Sequence, residues 1–233
     1  MKRTEEEYFN FPICLLNGFL REPDKVLNDI LYYAIYSRSI TLDYSKIDQR
    51  FIYSAESLGV SIGGNPTLKR KRGQELYESI PNNVPRSGIS REMFWDFYKE
   101  EKTDFERVCL LAYLALKSII GNKTYAKIGN NILLARMDGK ERTITDFSEL
   151  SDEVRKYANE YQTKKIKNEL MLFYGLTYYS RYTKGFYFSF KLDNYELIKI
   201  AETRRKNNKL KEIERQQKES LNKVLNELNT TRP

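Results

Sequence analysis

Between Ser151 and Leu192 the apolar pattern changes from a helical period to an alternating one, and that change limits the folds open to the chain. Ser151-Asp152-Glu153-Val154 offers a capping serine with two carboxylates in the first turn, where they suit the helix dipole. The spacing predicts one helix from there to Tyr174, stopped at Gly175. Ile166, Leu170 and Phe173 fall at i, i+4 and i+7 and form a core stripe. Tyr157, Tyr161, Lys164 and Asn168 lie on the other side, flanked by Lys165 and Lys167. Two β-rich runs follow, Leu176–Tyr182 and Phe186–Leu192, around Thr183-Lys184-Gly185, which predicts a hairpin. Alternation turns half of its rings (Tyr178, Tyr179, Tyr182, Phe186, Tyr187, Phe188, Phe190) inward against the helix.

The chain has 233 residues, enough for one larger domain or two small ones. Residues 1–103 read as a helical N-terminal region. Asp24 caps a helix over Lys25–Ser37, and a second helix covers Tyr44–Leu58. Three of the six prolines (Pro66, Pro81, Pro85) fall in a connector at 63–88, together with Gly63, Gly64, Gly73 and Gly88. A short helix, Gly73–Ser79, is expected inside it. Ser90 caps a helix from Arg91 to Glu101. Thr103-Asp104 opens a strongly apolar helix that ends at Gly121-Asn122. Lys123–Ile128 is extended or a strand, Asn130-Asn131 cap a brief helix to Met137, and Lys140–Leu150 is a polar loop. Residues 193–233 read as a long basic helix from Asn194 to Leu228. Leu210, Ile213, Leu221, Val224 and Leu228 recur there at three- and four-residue steps, with polar Gln217 between them. That spacing is too broken for a regular heptad coiled coil. Docking along the domain, pairing with a second copy and lying on DNA are all open to it.

With no histidine in the chain, Ser-His-Asp and Cys-His nucleophiles are ruled out. Structural zinc would have to draw on two cysteines and carboxylates. Asp96, Glu100, Glu101 and Asp104 fit an exposed helix end better than a metal-nuclease site, so no catalytic residue, metal or cofactor is expected. Cys14 and Cys109 sit in apolar surroundings and read as small buried thiols. The longest apolar stretch, Val108–Ile120, is too short to span a bilayer. Met1–Glu7 has no apolar run behind it, so a secretory signal is not expected and a cytoplasmic site is the default. The net charge of +8 is unevenly spread. Basic against acidic residues number 7 to 9 in residues 1–60, 16 to 12 in 104–200 and 9 to 5 in 201–233. A polyanion is the natural partner for that asymmetry.

The order apolar helix, extended piece, short helix, loop, long helix and hairpin over residues 104–192 resembles a winged helix-turn-helix domain. The resemblance implies a mainly α fold, with a helical N-terminal region, a winged-helix domain carrying a β-hairpin wing, and a long C-terminal helix. It also implies that the 151–174 helix enters the major groove of DNA while the hairpin touches backbone or minor groove. The groove-facing set is then Tyr161, Lys164, Lys165 and Asn168, with lysine and asparagine suited to guanine and adenine edges. Arg181 and Lys184 at the wing tip would hold phosphate. Lys69, Arg70, Lys71 and Arg72, the densest basic run, add a phosphate-binding loop.

The expected function is non-enzymatic binding of double-stranded DNA, in a transcription-regulator or replication-initiator-like role. The competing reading is a protein-interaction or structural assembly module, self-associating through the C-terminal helix and touching no nucleic acid. Neither involves a membrane.

Overall fold

The structure is a computed structural model that describes residues 8–42, 46–181 and 185–230. The expectations for Met1–Glu7, Tyr44, Tyr182 and Lys184 lie outside these residues, as do the side chains of Val224 and Leu228.

The N-terminal region is not wholly helical. Strand β1 (Tyr8–Pro12) turns Phe9 and Phe11 inward and Asn10 outward, a period of two. It pairs antiparallel with β2 (Arg86–Ser90), setting Phe9 opposite Ile89 and Phe11 opposite Ser87. A 3-10 turn, Ile13–Leu16, leads on toward α1 (Pro23–Ser39). Pro23 occupies the first turn of α1, where a missing N–H costs nothing, and Glu22 rather than Asp24 stands at the N-cap. After α2 (Ile47–Ser57) comes α3 (Pro66–Ser79), a full helix where a loop with a short insert was expected. Asn65 caps it, its side-chain oxygen accepting from the Thr67 and Leu68 N–H groups. Ser90 caps α4 (Arg91–Lys99) as expected.

Helix α5 (Asp104–Ile120) joins the two halves. Thr103 and Glu106 form a reciprocal capping box at its start. Val108, Cys109, Leu110, Leu111, Ala112, Leu114, Ala115 and Leu116 are all buried. A helix apolar on every side must be covered on every side. One flank meets β2, where Ser87 donates to the Leu114 carbonyl at 2.7 Å. Other flanks meet α6 (Asn130–Met137) and α8 (Glu160–Phe173). A single cluster of buried apolar side chains therefore runs without interruption from Phe9 to Phe188.

Beyond α5 lie β3 (Ala126–Ile128), the short helix α7 (Asp152–Arg155), and a hairpin of β4 (Thr177–Tyr179) and β5 (Phe186–Ser189). The three strands form an antiparallel sheet in the order β3-β5-β4. Gly185 makes the passage into β5 feasible. Its φ is +85°, and a Cβ there would lie 2.0 Å from the Ile128 carbonyl oxygen.

Helix α9 (Asn194–Thr230) closes the chain. Its first turns pack on β4 and β5, burying Leu197 and Ala201 against Tyr187, and residues 203–223 are exposed. The molecule is mainly α, with a β-hairpin and a long C-terminal helix. Among the described residues, no helix is long and apolar enough to cross a membrane.

Candidate nucleic-acid interface

The helix expected to run from Ser151 to Tyr174 is two helices. Asn159 breaks it, its Oδ1 accepting from the Gln162 N–H at 2.9 Å and starting α8 afresh. Ser151 does stand at the N-cap of α7, but its hydroxyl makes no capping bond. It donates instead to the carboxylate of buried Asp138, which also accepts from the Ser151 N–H at 3.1 Å. Arg155 gathers the preceding loop by donating to the carbonyls of Phe147, Ser148 and Leu150. These two polar clamps fix the turn ahead of α8. They leave it 14 residues long, shorter than the sequence pattern suggested.

Tyr161, Lys164, Lys165 and Asn168 share the exposed face of α8, while Ile166 and Leu170 are buried on the opposite side. Tyr161 is 72% exposed. Lys165 leans back over the Phe105 ring, 4.2 Å from its centroid, a cation–π contact. The Tyr178 hydroxyl donates to Oδ1 of exposed Asn168 at 3.0 Å, which ties the hairpin to α8.

Lys167 does not belong to this solvated face. It is buried, with Nζ 4.6 Å from the Phe186 ring centroid and 5.5 Å from that of Tyr178. Burial holds its ammonium below the ordinary lysine range. The hairpin folds over this lysine stem, which fills the angle between helix and sheet.

The hairpin's rings are more completely covered than alternation predicts. Phe186 and Phe188 enter the main core, and Tyr187, on the other face, is buried beneath α9. A base-stacking platform on Tyr187 is excluded by that cover. Arg181 is exposed and lies near Tyr179 and Glu202, whose side chains share a 2.7 Å hydrogen bond. That bond, more than Arg205 or Arg181, lowers the Glu202 carboxyl below its usual range.

The basic run at 69–72 lies elsewhere and is already engaged. It rides on α3, which packs against α1 and α2. Arg72 grips Asp29 through Nε and Nη2 at 2.8 and 2.7 Å, and Arg70 pairs with Asp48. Lys69 donates to the Gly63 carbonyl at 2.6 Å, while Lys71 is exposed. The run is carried on a helix where a loop was expected, with Arg70 and Arg72 acting as tertiary ties.

Among the described residues, no group of three or more Cys, Asp or Glu side chains is arranged to hold a metal. Asp96, Glu100, Glu101 and Asp104 stay exposed, and Asp96 pairs with Lys102 at 2.8 Å. Cys14 and Cys109 are free thiols. Burial pushes the Cys109 thiol up to about 12, so it is unreactive at neutral pH.

No protein-family model matches the chain, and no curated protein or solved structure is significantly similar to it.

Sequence reasoning missed the positioning residues Asp138, Arg155 and Asn159. Only Asn159 carried a readable signal, since Asn159-Glu160-Tyr161-Gln162 is a capping sequence in its own right. Asp138 and Arg155 act across a loop, which no local pattern reveals.

Proposed function

We propose that residues 104–192 form a winged-helix unit that binds double-stranded DNA without catalysis, with α8 in the major groove and the β4–β5 hairpin as its wing. The observation that carries this reading is the outward set Tyr161, Lys164, Lys165 and Asn168 on one rigid helix, beside a hairpin joined to β3 in the order β3-β5-β4. Two ammonium groups and an oriented carboxamide on such a face suit phosphates and purine edges. Arg181 at the wing adds cationic charge near Tyr179 and Glu202. A transcription-regulator or replication-initiator-like role is the setting in which such a unit would work.

The test is binding of a labelled duplex across a salt series. Wild-type affinity is expected to fall with salt as counterions are displaced. Lys164→Ala/Lys165→Ala/Asn168→Ala should weaken binding at least about tenfold and flatten the salt slope by about 2, one for each lysine. Unchanged binding by this triple variant would sink the assignment of α8.

A protein-docking role is favoured by a separate observation. Leu172 and Phe173, at the end of α8, are 74% and 72% exposed, and Phe173 lines a cleft of ≈ 600 Å³ together with Met93, Cys109 and Tyr174. Salt-independent failure to bind any duplex, with the fold intact, would favour that reading.

A further inference from the structure

Past Arg205, helix α9 leaves the body and runs 25 more residues with Leu210, Ile213 and Leu221 open to water at 58%, 42% and 63%. Their spacing about Gln217 is 4 residues to Ile213 and 4 to Leu221, with Leu210 a further 3 back. Val224 continues it in the sequence 3 residues on, so the run of steps reads 3-4-4-3 in either direction. At ~100° per residue, Leu210, Ile213 and Leu221 all lie within about 40° of Gln217, on one straight stripe. Steps of 3, 4 and 4 sum to eleven, a period that keeps such a stripe straight or slightly right-handed instead of winding it leftward.

Three observations say what covers this stripe. Leu197 and Ala201, which dock α9 on the body, lie about 160° round the helix from Gln217, so the stripe faces away from the chain's own domain. The intrahelical ion pairs of Arg215 with Glu212 (2.8 Å) and Glu219 (3.7 Å) occupy the opposite face as well, so the stripe is not capped by them. Glu214 and Lys218 border the stripe on one flank. When two such helices run antiparallel with Gln217 against Gln217, each Glu214 comes within about 3 Å, along the axis, of the partner's Lys218. That register also places Ile213 against the partner's Leu221. In a parallel pair that flank would instead face the partner's opposite flank, which carries Gln216 and Ser220, and the reciprocal Glu214–Lys218 contacts would be lost.

We propose that α9 is a self-pairing surface through which two copies of this chain form an antiparallel helix pair, with its twofold axis at Gln217. The apolar pairs supply attraction, the reciprocal Glu214–Lys218 contacts set the orientation, and the central glutamines fix the register, as a lone polar residue does in a helical seam. Ile213, Gln216, Gln217, Ser220 and Leu221 line a shallow open depression on this face, against which a partner side chain would pack.

Sedimentation equilibrium of the full chain without nucleic acid tests this independently of the DNA-binding reading. Wild type should approach twice 27.7 kDa by ~100 µM, the range of a small, weak interface. Glu214→Lys should raise the dissociation constant about tenfold, and Glu214→Lys/Lys218→Glu should recover it to within about threefold. In a Cys14→Ser background, Ile213→Cys mixed with Leu221→Cys should cross-link on mild oxidation, and either one alone should not. A monomer throughout, a double charge variant no better than the single, or self-cross-linking of Ile213→Cys alone would each overturn the proposal.

Discussion

Gly73 sits where α3 crosses α1, and a Cβ there would lie 2.5 Å from the Tyr32 carbonyl oxygen and 2.9 Å from Tyr36 Cβ. Helix propensity alone favours alanine at this position by about 1 kcal/mol, whereas forcing two packed helices apart costs about 1–3 kcal/mol. Gly73→Ala should therefore destabilise the protein, by up to about 2 kcal/mol in urea unfolding, and a stabilised variant would show that the crossing yields easily. Lys167 gives a pH-dependent counterpart. Burial lowers its folded pKa below the unfolded one, so the unfolded chain binds the extra proton and stability rises with pH up to the ordinary lysine range, near 10. Lys167→Met should be about 1 kcal/mol more stable than wild type at neutral pH, and this advantage should shrink as pH climbs from neutral toward the ordinary lysine range, ~10. Paired urea titrations at both ends of that window would show it, and a constant difference would count against buried charge as the cause. The phase of this residue was readable, since it lies about 60° from Leu170 on a helical wheel. What concealed its burial was composition, because lysine on a helix is ordinarily solvated.

At the scale of elements, local signals fared well where one end of an element could be read without the rest of the chain. The start of α5 at Thr103-Asp104, the Ser90 cap and the hairpin at 177–189 are of that kind. The β1–β2 pairing is not, since Phe9 meets Ile89 across eighty residues and five-residue strands leave little periodicity. Inside the 151–174 stretch the reading of one helix overrode the Asn159 cap, although the chain used the cap, and Phe173, read into the core stripe with Ile166 and Leu170, is exposed at the end of α8. For the candidate interface, the outward set on α8 was legible from phasing, while the engagement of Arg70 and Arg72 depended on Asp48 and Asp29, 22 and 43 residues away. Helix α9 divides into a docked and a free part, and truncation separates them. Ending the chain after Asn207 should leave Tm within about 2 °C of wild type. Ending it after Asp193 uncovers Tyr187 and should lower Tm by about 5 °C or more. Equal melting of the two truncated chains would contradict the docking of Leu197 and Ala201.

For the whole molecule, the uninterrupted core predicts that the halves on either side of α5 melt together. The single tryptophan, Trp95, lies on α4 and reports the N-terminal side, while far-ultraviolet circular dichroism reports all the helices. Their urea midpoints should coincide, and an earlier Trp95 transition would mean that the two halves unfold separately. The same architecture gives β5 an unusual position. It is the middle strand of its sheet, its residues Phe186–Ser189 are all buried, and α9 roofs the face that the core does not. No partial loosening of the hairpin, of α9 or of α8 uncovers that strand completely, so its backbone hydrogens should trade with deuterium only when the entire molecule opens. Those four amides would then serve as a clock for global unfolding under native conditions.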